Sequence, residues 1–349
     1  MTDATAAPPV RGMPARLAYG LLERESTFLV VILGALLAAF TLLTPSGTFL
    51  GSANFLNIAL DTSEILVLAG GMTFVIIAAG IDLSVGSLVV FCSVAFAEVM
   101  THIAGTSGPL GGPGRHLTLA IGCGIVISLV AGTGWGVFNG YLIGYRNIPA
   151  FVVTLGTLGM ALGLAQVWTT GVNVAGVPFS LQTTLGSGKG PIGIPWLVYL
   201  AAGVVSVLWL VLSQTRYGLR TYALGASAEA TARAGINVRR HTLTLYALMG
   251  LLCGIVGIMD VSRFATASIA AHTQDNLAAI AAVVIGGTSL FGGKGRMAGT
   301  IIGAFIPAVL RNGFILMGVQ PFWQNVAVGA VLVLAVYVDQ ERRRRARLV

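Results

Sequence analysis

The sequence predicts an all-α membrane protein that crosses the bilayer about ten times. Of its 349 residues, 56% are hydrophobic and only 9% are charged, with a mean hydropathy of +0.88. A soluble domain carries roughly a quarter charged residues, so most of this chain is expected to lie in lipid. The apolar runs span about 16–25 residues without the two-residue alternation of barrel strands. Helices are therefore expected, because they satisfy their own backbone hydrogen bonds in lipid.

Each predicted span is a long apolar run bounded by polar or glycine-rich residues. The ten spans are Phe28–Leu43, Ile58–Ala79, Ser87–Met100, Leu117–Leu142, Ala150–Thr169, Trp196–Leu212, Leu243–Val261, Leu277–Leu290, Met297–Met317 and Phe322–Val338. The second is expected to be interrupted near Asp61–Glu64. Several spans are shorter than the roughly 20 residues needed to cross a bilayer, so those helices would lie among neighbours or cross incompletely.

Loop charges predict the orientation of these spans. Arginine and lysine cluster at 11–24, 146, 216–240, 294–296 and 342–347, which all fall on one side of the predicted bundle. The other side holds only Arg115, Lys189 and Arg263. The positive-inside rule therefore places both termini in the cytoplasm.

The chain divides into a membrane domain and two tails. Residues 1–26 form a predicted cytoplasmic tail, residues 27–340 the transmembrane domain, and residues 341–349 a basic cytoplasmic tail. The basic tail is interpreted as a topology anchor that contacts anionic lipid.

Small residues recur at four-residue spacing along the fourth span. Gly132, Gly136, Gly140 and Gly144 lie on one helical face. Because small residues allow helix backbones to approach closely in lipid, these glycines predict a tight helix–helix contact.

The cytoplasmic stretch 216–241 contains a short predicted helix at about Ala226–Ala234, with Ser227 as its N-cap and Gly235 as its stop. Such a helix is marginal alone in water and needs a surface to dock on. It is either an ordinary connecting segment or a coupling helix that fits a groove on a soluble motor subunit. In the second case the contact residues would be Ala226, Ser227, Glu229, Ala230, Arg233 and Gly235.

Asp82 lies in the glycine-flanked segment GIDLSVGS, between the second and third spans. It is either a functional intramembrane carboxylate or a cap for the third span. Together with other polar residues of the spans it could line a pathway for a neutral, hydroxyl-bearing solute. The pathway candidates are Thr73, Asp82, Ser84, Asn139, Thr154, Thr157 and Asn312.

The chain shows no motif for catalysis or nucleotide binding. Neither Lys189 nor Lys294 has the glycine and hydroxyl neighbours of a phosphate-binding loop. Catalytic motifs and paired cysteines are missing, and the histidines lack metal-ligand spacing. We therefore expect no catalytic residue, metal or cofactor in this chain, and attribute the net charge of +8 to loop arginines rather than to nucleic-acid binding. An ion-coupled secondary transporter remains an alternative, although most acidic residues lie at span ends.

Four segments strongly resemble the permease subunits of bacterial ATP-driven sugar importers of the ribose, xylose and galactofuranose type, within the branched-chain amino acid and monosaccharide permease family. In chain order they are GMTFVIIAAGIDLSVGS (Gly71–Ser87), NIPAFVVTLGTLGMALGLA (Asn147–Ala165), YALGASAEATARAGINVRR (Tyr222–Arg240) and AAIAAVVIGGTSLFGGKG (Ala278–Gly295). Pro321–Val336 continues the resemblance, which covers about residues 27–338.

The resemblance implies a permease of the bacterial inner membrane that pairs with a second, identical or sister, permease. Two cytoplasmic ATPase subunits would bind ATP and Mg²⁺, and a periplasmic binding protein would deliver a monosaccharide. Ala226–Gly235 falls where the family contacts its ATPase. A related importer for a branched-chain amino acid or a furanosyl signalling molecule stays open as an alternative.

Overall fold

The computed structural model describes residues 15–45, 47–105, 116–320 and scattered positions from 322 to 337. Helices make up the regular structure of these residues, apart from two isolated β-bridges. The helices are α1 (Ala15–Leu43), α2 (Ser52–Ile77), α3 (Val85–Ala104), α4 (Leu117–Gly144), α5 (Ala150–Trp168), α6 (Trp196–Gln214), α7 (Arg216–Ala226), α8 (Ala228–Arg233), α9 (Val238–Phe264), α10 (Asp275–Ile285) and α11 (Met297–Leu316). A short helical turn, Phe179–Leu181, runs into a wider turn, Gln182–Gly186, between α5 and α6.

Within the described residues, seven helices are long and apolar enough to cross a membrane: α2, α3, α4, α5, α6, α9 and α11. The apolar part of α1 and all of α10 are shorter. The predicted all-α membrane protein is therefore confirmed, whereas the count of ten spans and the position of the termini stay predictions. Most of the tenth predicted span, Phe322–Val338, lies outside the described residues, as do the ends of both tails.

Two details of the predicted spans are wrong. Helix α2 runs without interruption through Asp61 and Glu64, because Arg263 pairs with Asp61 and lies 3.9 Å from Glu64, which offsets one of the two negative charges. The eighth span was expected to continue to Leu290, but α10 has only 11 residues and ends at Ile285. At 1.5 Å per residue it covers about 16 Å, roughly half of a bilayer core.

The core of the bundle surrounds α2. Residues Val67–Ile77 of this helix are all buried, and they pack against α6, α9, α10 and α11. One end of the bundle carries the cationic residues of 146, 216–240 and 294–296, and we refer to it as the basic end. The other end holds the segments 169–195 and 265–274, joined by the bridge between Val174 and Ala267, and we refer to it as the outer end.

Helices α4 and α9 pack closely over most of their length. Gly132 and Gly136 face the backbones of Gly250 and Tyr246, and a Cβ at either position would overlap a carbonyl oxygen of α9. At Gly140 a Cβ would lie 2.6 Å from the Cα of Leu243. The glycine face thus lets two backbones touch, which side chains of any size would prevent.

Gly136→Ala is expected to destabilise the bundle by about 1–3 kcal/mol, the usual cost of overpacking a close contact. Gly134→Ala is the matched control, because a Cβ there meets nothing within 4 Å. Thermal unfolding of both variants in detergent measures the difference. Equal melting temperatures for the two variants would contradict the close contact.

Candidate functional site

Two non-helical segments meet beside the start of α3. The first follows α2: the chain reverses at Ala79, whose φ is 60°, and Gly80–Ser84 leads back to the start of α3. The second, 265–274, precedes α10. The side-chain amide of Asn276 donates to the carbonyl of Leu83 at 3.2 Å, and Gly86 lies directly against the carbonyl of His272. Non-helical backbone is tolerated at membrane depth only where protein buries it or a cavity adjoins it.

A chain of hydrogen bonds holds the first of these segments. The Asp82 carboxylate accepts from the backbone N–H of Ser84 at 2.9 Å and from its hydroxyl at 2.5 Å. Asn139 of α4 donates to the Ser84 hydroxyl oxygen at 3.1 Å, and Thr157 of α5 donates to the Asn139 amide oxygen at 2.5 Å. All four side chains are at most 1% exposed. We refer to them as the buried network.

The buried network brings together four of the seven predicted pathway residues. Asp82 was interpreted either as a functional intramembrane carboxylate or as a cap for the third span, and its position has features of both. It accepts hydrogen bonds just before α3 begins, but the residue at the N-cap is Ser84. The hydroxyl of Tyr246 donates to the carbonyl of Ile81 at 3.2 Å and anchors the same turn to α9.

The other three predicted pathway residues lie elsewhere. Thr73 of α2 and Thr300 of α11 approach to 2.8 Å. Asn312 forms a reciprocal pair of 2.9 Å hydrogen bonds with Asn54, and Thr154 bonds only within α5. Thr73 and Asn312 therefore join α11 to α2, whereas the hydroxyl of Thr154 bonds within its own helix.

A cavity of about 90 Å³ lies beside the meeting point of the two segments. Its wall includes Leu83 from the first segment, Ser87 from α3, Leu158 from α5, Thr273 from the second segment and Asn276 from α10. The wall is almost entirely apolar. This cavity, which adjoins the segment that carries Asp82 and Ser84, therefore offers few polar contacts.

At the basic end, α7 and α8 form the predicted coupling segment. The Ser227 side chain accepts from the backbone N–H of Ala230 at 3.2 Å, and Gly235 has a φ of 80°, so the cap and the stop are as predicted. The helix itself is shorter than expected, since Ala226 ends α7. Every residue of α8 except Thr231 is exposed. Its surface is mostly alanine, with Glu229 and Arg233 paired at 2.6 Å.

The coupling segment touches the end of α2 through backbone. Gly225 lies against the carbonyl of Ile77 so closely that any Cβ would overlap it. The N–H of Gly293 donates to the same carbonyl at 2.8 Å, and the Tyr222 hydroxyl donates to the carbonyl of Gly295 at 2.9 Å. These contacts join α7, the end of α2 and the turn after α10. The turn after α10 lies within the fourth segment that carries the family resemblance. Its contact with Ile77 was not predicted, although its many glycines indicate a close backbone approach.

Comparison with known proteins decides the family. The family model described as branched-chain amino acid transport system / permease component matches residues 54–336. The chain is 35% identical to the ribose import permease protein RbsC of Escherichia coli strain K12, over 93% of this chain and 95% of that protein. It is 36% identical to RbsC of Bacillus subtilis strain 168, over 93% and 94%, and 32% identical to the xylose transport system permease protein XylH of Escherichia coli strain K12, over 90% and 92%.

The chain belongs to this permease family. The permease is a multi-pass inner-membrane subunit of an ATP-binding-cassette importer and is not itself an enzyme, since ATP hydrolysis takes place in a separate subunit. An ATPase and a periplasmic binding protein are the partner types of such importers. No solved structure matches the permease.

The outer end of the permease contains a cluster of charged side chains. Arg263 of α9 pairs with Asp61 of α2 and lies 3.9 Å from Glu64. His272 lies between Asp260 and Asp275, at 3.1 and 2.6 Å. The sequence did not predict this cluster, because its members lie far apart in the chain, on α2, α9, α10 and the segment 265–274.

Proposed function

We propose that the permease imports a monosaccharide, and that its substrate is a pentose or a close relative. One observation carries the proposal: relatives aligned over nine-tenths of the chain are named as ribose and xylose permeases. The neutral threonine, serine and asparagine side chains of the bundle suit a solute with many hydroxyl groups. Selectivity would come mainly from the binding protein that delivers the sugar.

The motor would act on the permease through α8. Its exposed alanine surface offers a small-residue ridge, and the Glu229–Arg233 pair adds one charge of each sign. The contact residues remain those predicted: Ala226, Ser227, Glu229, Ala230, Arg233 and Gly235. ATP binding would draw two motor subunits together and displace α8.

A displacement of α8 would be transmitted to α2 through a few direct backbone contacts. Gly225 and Gly293 connect α7 and the turn after α10 to the carbonyl of Ile77. Five residues further along the chain, Asp82 belongs to the buried network. Moving the end of α2 would therefore shift the segment that borders the cavity. Alternating access follows if ATP and the loaded binding protein favour different positions of this segment.

The pathway is proposed to lie between two permease copies, beside α5 and the cavity. Helices α4, α5 and α6 expose much of their apolar surface in the single chain, which lipid or a second copy would cover. In this proposal Asp82, Ser84, Asn139 and Thr157 position the pathway wall, while Thr73, Thr154 and Asn312 support the surrounding helices.

Reconstitution of the complete importer in liposomes tests the proposal. Uptake of labelled ribose and xylose is expected to require ATP, the ATPase and the binding protein. The family description makes leucine the substrate to test as the alternative. ATP-driven uptake of leucine in place of either pentose would overturn the sugar assignment. Sugar uptake driven by an ion gradient without the ATPase would support a secondary transporter.

A further inference from the structure

The charged cluster at the outer end has an excess of negative charge. Four carboxylates, from Asp61, Glu64, Asp260 and Asp275, face one guanidinium and one imidazole. With the imidazole protonated and all four carboxylates ionised, the formal charge of the cluster is −2. Removing charge from water is costly unless an opposite charge is nearby, so the cluster favours a further cation.

Three of these side chains point at a common centre. One oxygen each from Glu64 and Asp260 and one ring nitrogen of His272 all lie within 4.8 Å of one another. The Nε2 of His272 and the Oδ1 of Asp260 are 3.1 Å apart. Two ligands on a tetrahedral ion with bonds of about 2.1 Å are separated by about 3.4 Å, so this pair already has ligand spacing.

Unpartnered atoms point to a missing occupant. The Oε1 of Glu64 is buried without a hydrogen-bond partner, in a residue only 7% exposed. The Nε2 of His272 is also buried, in a side chain that is 7% exposed, and its one close oxygen in this cluster, the Oδ1 of Asp260 at 3.1 Å, is not in hydrogen-bond geometry. Both atoms belong to the three-residue centre, and buried polar atoms of this kind are seldom left unsatisfied.

Neighbouring groups orient the same three side chains. The Oδ2 of Asp275 is 2.6 Å from the Nδ1 of His272, an arrangement that leaves Nε2 free to donate a lone pair. The hydroxyl of Ser93 donates to the Oδ2 of Asp260 at 3.2 Å and leaves Oδ1 toward the centre. A carboxylate behind a histidine is the usual support of a metal-binding imidazole.

We propose that Glu64, Asp260 and His272 bind one divalent first-row transition-metal ion of the zinc type. An imidazole with two carboxylates matches the ligands of Zn²⁺, whereas Ca²⁺ and Mg²⁺ prefer oxygen alone. The ion would neutralise the excess charge and tie α2 and α9 to the segment before α10. The sequence predicted no metal site because the histidines lack the short spacing of a metal-binding motif. Ligands that come from three separate segments have no such spacing.

A proton is the competing occupant, because Asp260 and Asp275 also stabilise an imidazolium. Metal binding must displace that proton, so the test uses mildly alkaline buffer. The full chain is purified in detergent on an affinity tag without histidine, equilibrated with excess Zn²⁺, separated from free metal and analysed for zinc. One zinc ion per chain is expected, and Co²⁺ in its place should give visible ligand-field absorption.

Variants locate the bound ion. Glu64→Gln and His272→Asn are expected to retain no zinc at this centre, and Asp275→Asn to bind about 10–100-fold more weakly, as for other residues that support a ligand. His102→Asn, which changes an exposed histidine of α3, is the matched control and should retain one ion. Glu64→Gln keeps the shape of the side chain and removes an uncompensated charge, so it is expected to fold.

Two results would overturn the proposal. One is a folded wild-type chain that retains no zinc and gives no Co²⁺ absorption, which leaves the proton as the occupant. The other is equal zinc retention by wild type, Glu64→Gln and His272→Asn, which places the metal elsewhere.

Discussion

Ala230→Trp is expected to reduce ATP-driven uptake at least tenfold while leaving the permease folded. Ala230 lies on the exposed surface of α8, so an indole ring at this position can extend into solvent. A bulky ring would hold a docked motor subunit away from the other alanines. A tenfold loss corresponds to about 1.4 kcal/mol of docking free energy. Uptake and ATPase activity in reconstituted liposomes measure the effect together.

Thr183→Trp is the matched control for that substitution. Thr183 is equally exposed but lies at the outer end, in the wide turn before α6. We expect near-normal coupling to ATP hydrolysis in this variant. Normal uptake by Ala230→Trp would contradict the assignment of α8 as the motor contact.

Asp82→Ala is expected to lower both stability and uptake. The substitution removes the acceptor for the Ser84 N–H and hydroxyl in a fully buried position. Each donor left without a partner costs about 1–3 kcal/mol. The segment Gly80–Ser84 would then lose its fixed position beside the cavity. Thermal unfolding and uptake assays on the same preparation measure the two consequences.

Asp82→Asn separates hydrogen bonding from charge. Its amide oxygen can accept from Ser84 as the carboxylate does, so most of the stability and uptake should be retained. An Asp82→Asn variant as inactive as Asp82→Ala, but normally stable, would show that the negative charge itself is required. That result would favour a role for Asp82 in ion or proton coupling.

The sequence predicted the long helices well, because a long apolar run indicates a membrane helix whether lipid or other helices surround it. The fourth span was expected at Leu117–Leu142 and α4 ends at Gly144. The half-length α10 was missed, since the short polar step after the Gly286–Gly287 turn is followed again by the apolar Leu290. Hydropathy does not distinguish a helix from a buried turn that follows it.

The candidate site was predicted only in part, because contacts between separate helices depend on how the bundle packs. Asp82 and Ser84 are two residues apart in the sequence, and both were named as pathway candidates. Asn139 and Thr157 were named as polar residues of spans, but their hydrogen bond joins α4 to α5 and depends on how these helices pack. The contact of Gly225 with Ile77 depends in the same way on the packed bundle.

The most direct test of the account is affinity purification of the wild-type permease and the Ala230→Trp variant from host membranes in mild detergent, with mass spectrometry of the co-purifying proteins. We predict that an ATPase subunit with a phosphate-binding loop accompanies the wild type and is depleted from the variant, although both permeases are folded. A wild-type permease that purifies without an ATPase and moves solute down an ion gradient would contradict the account.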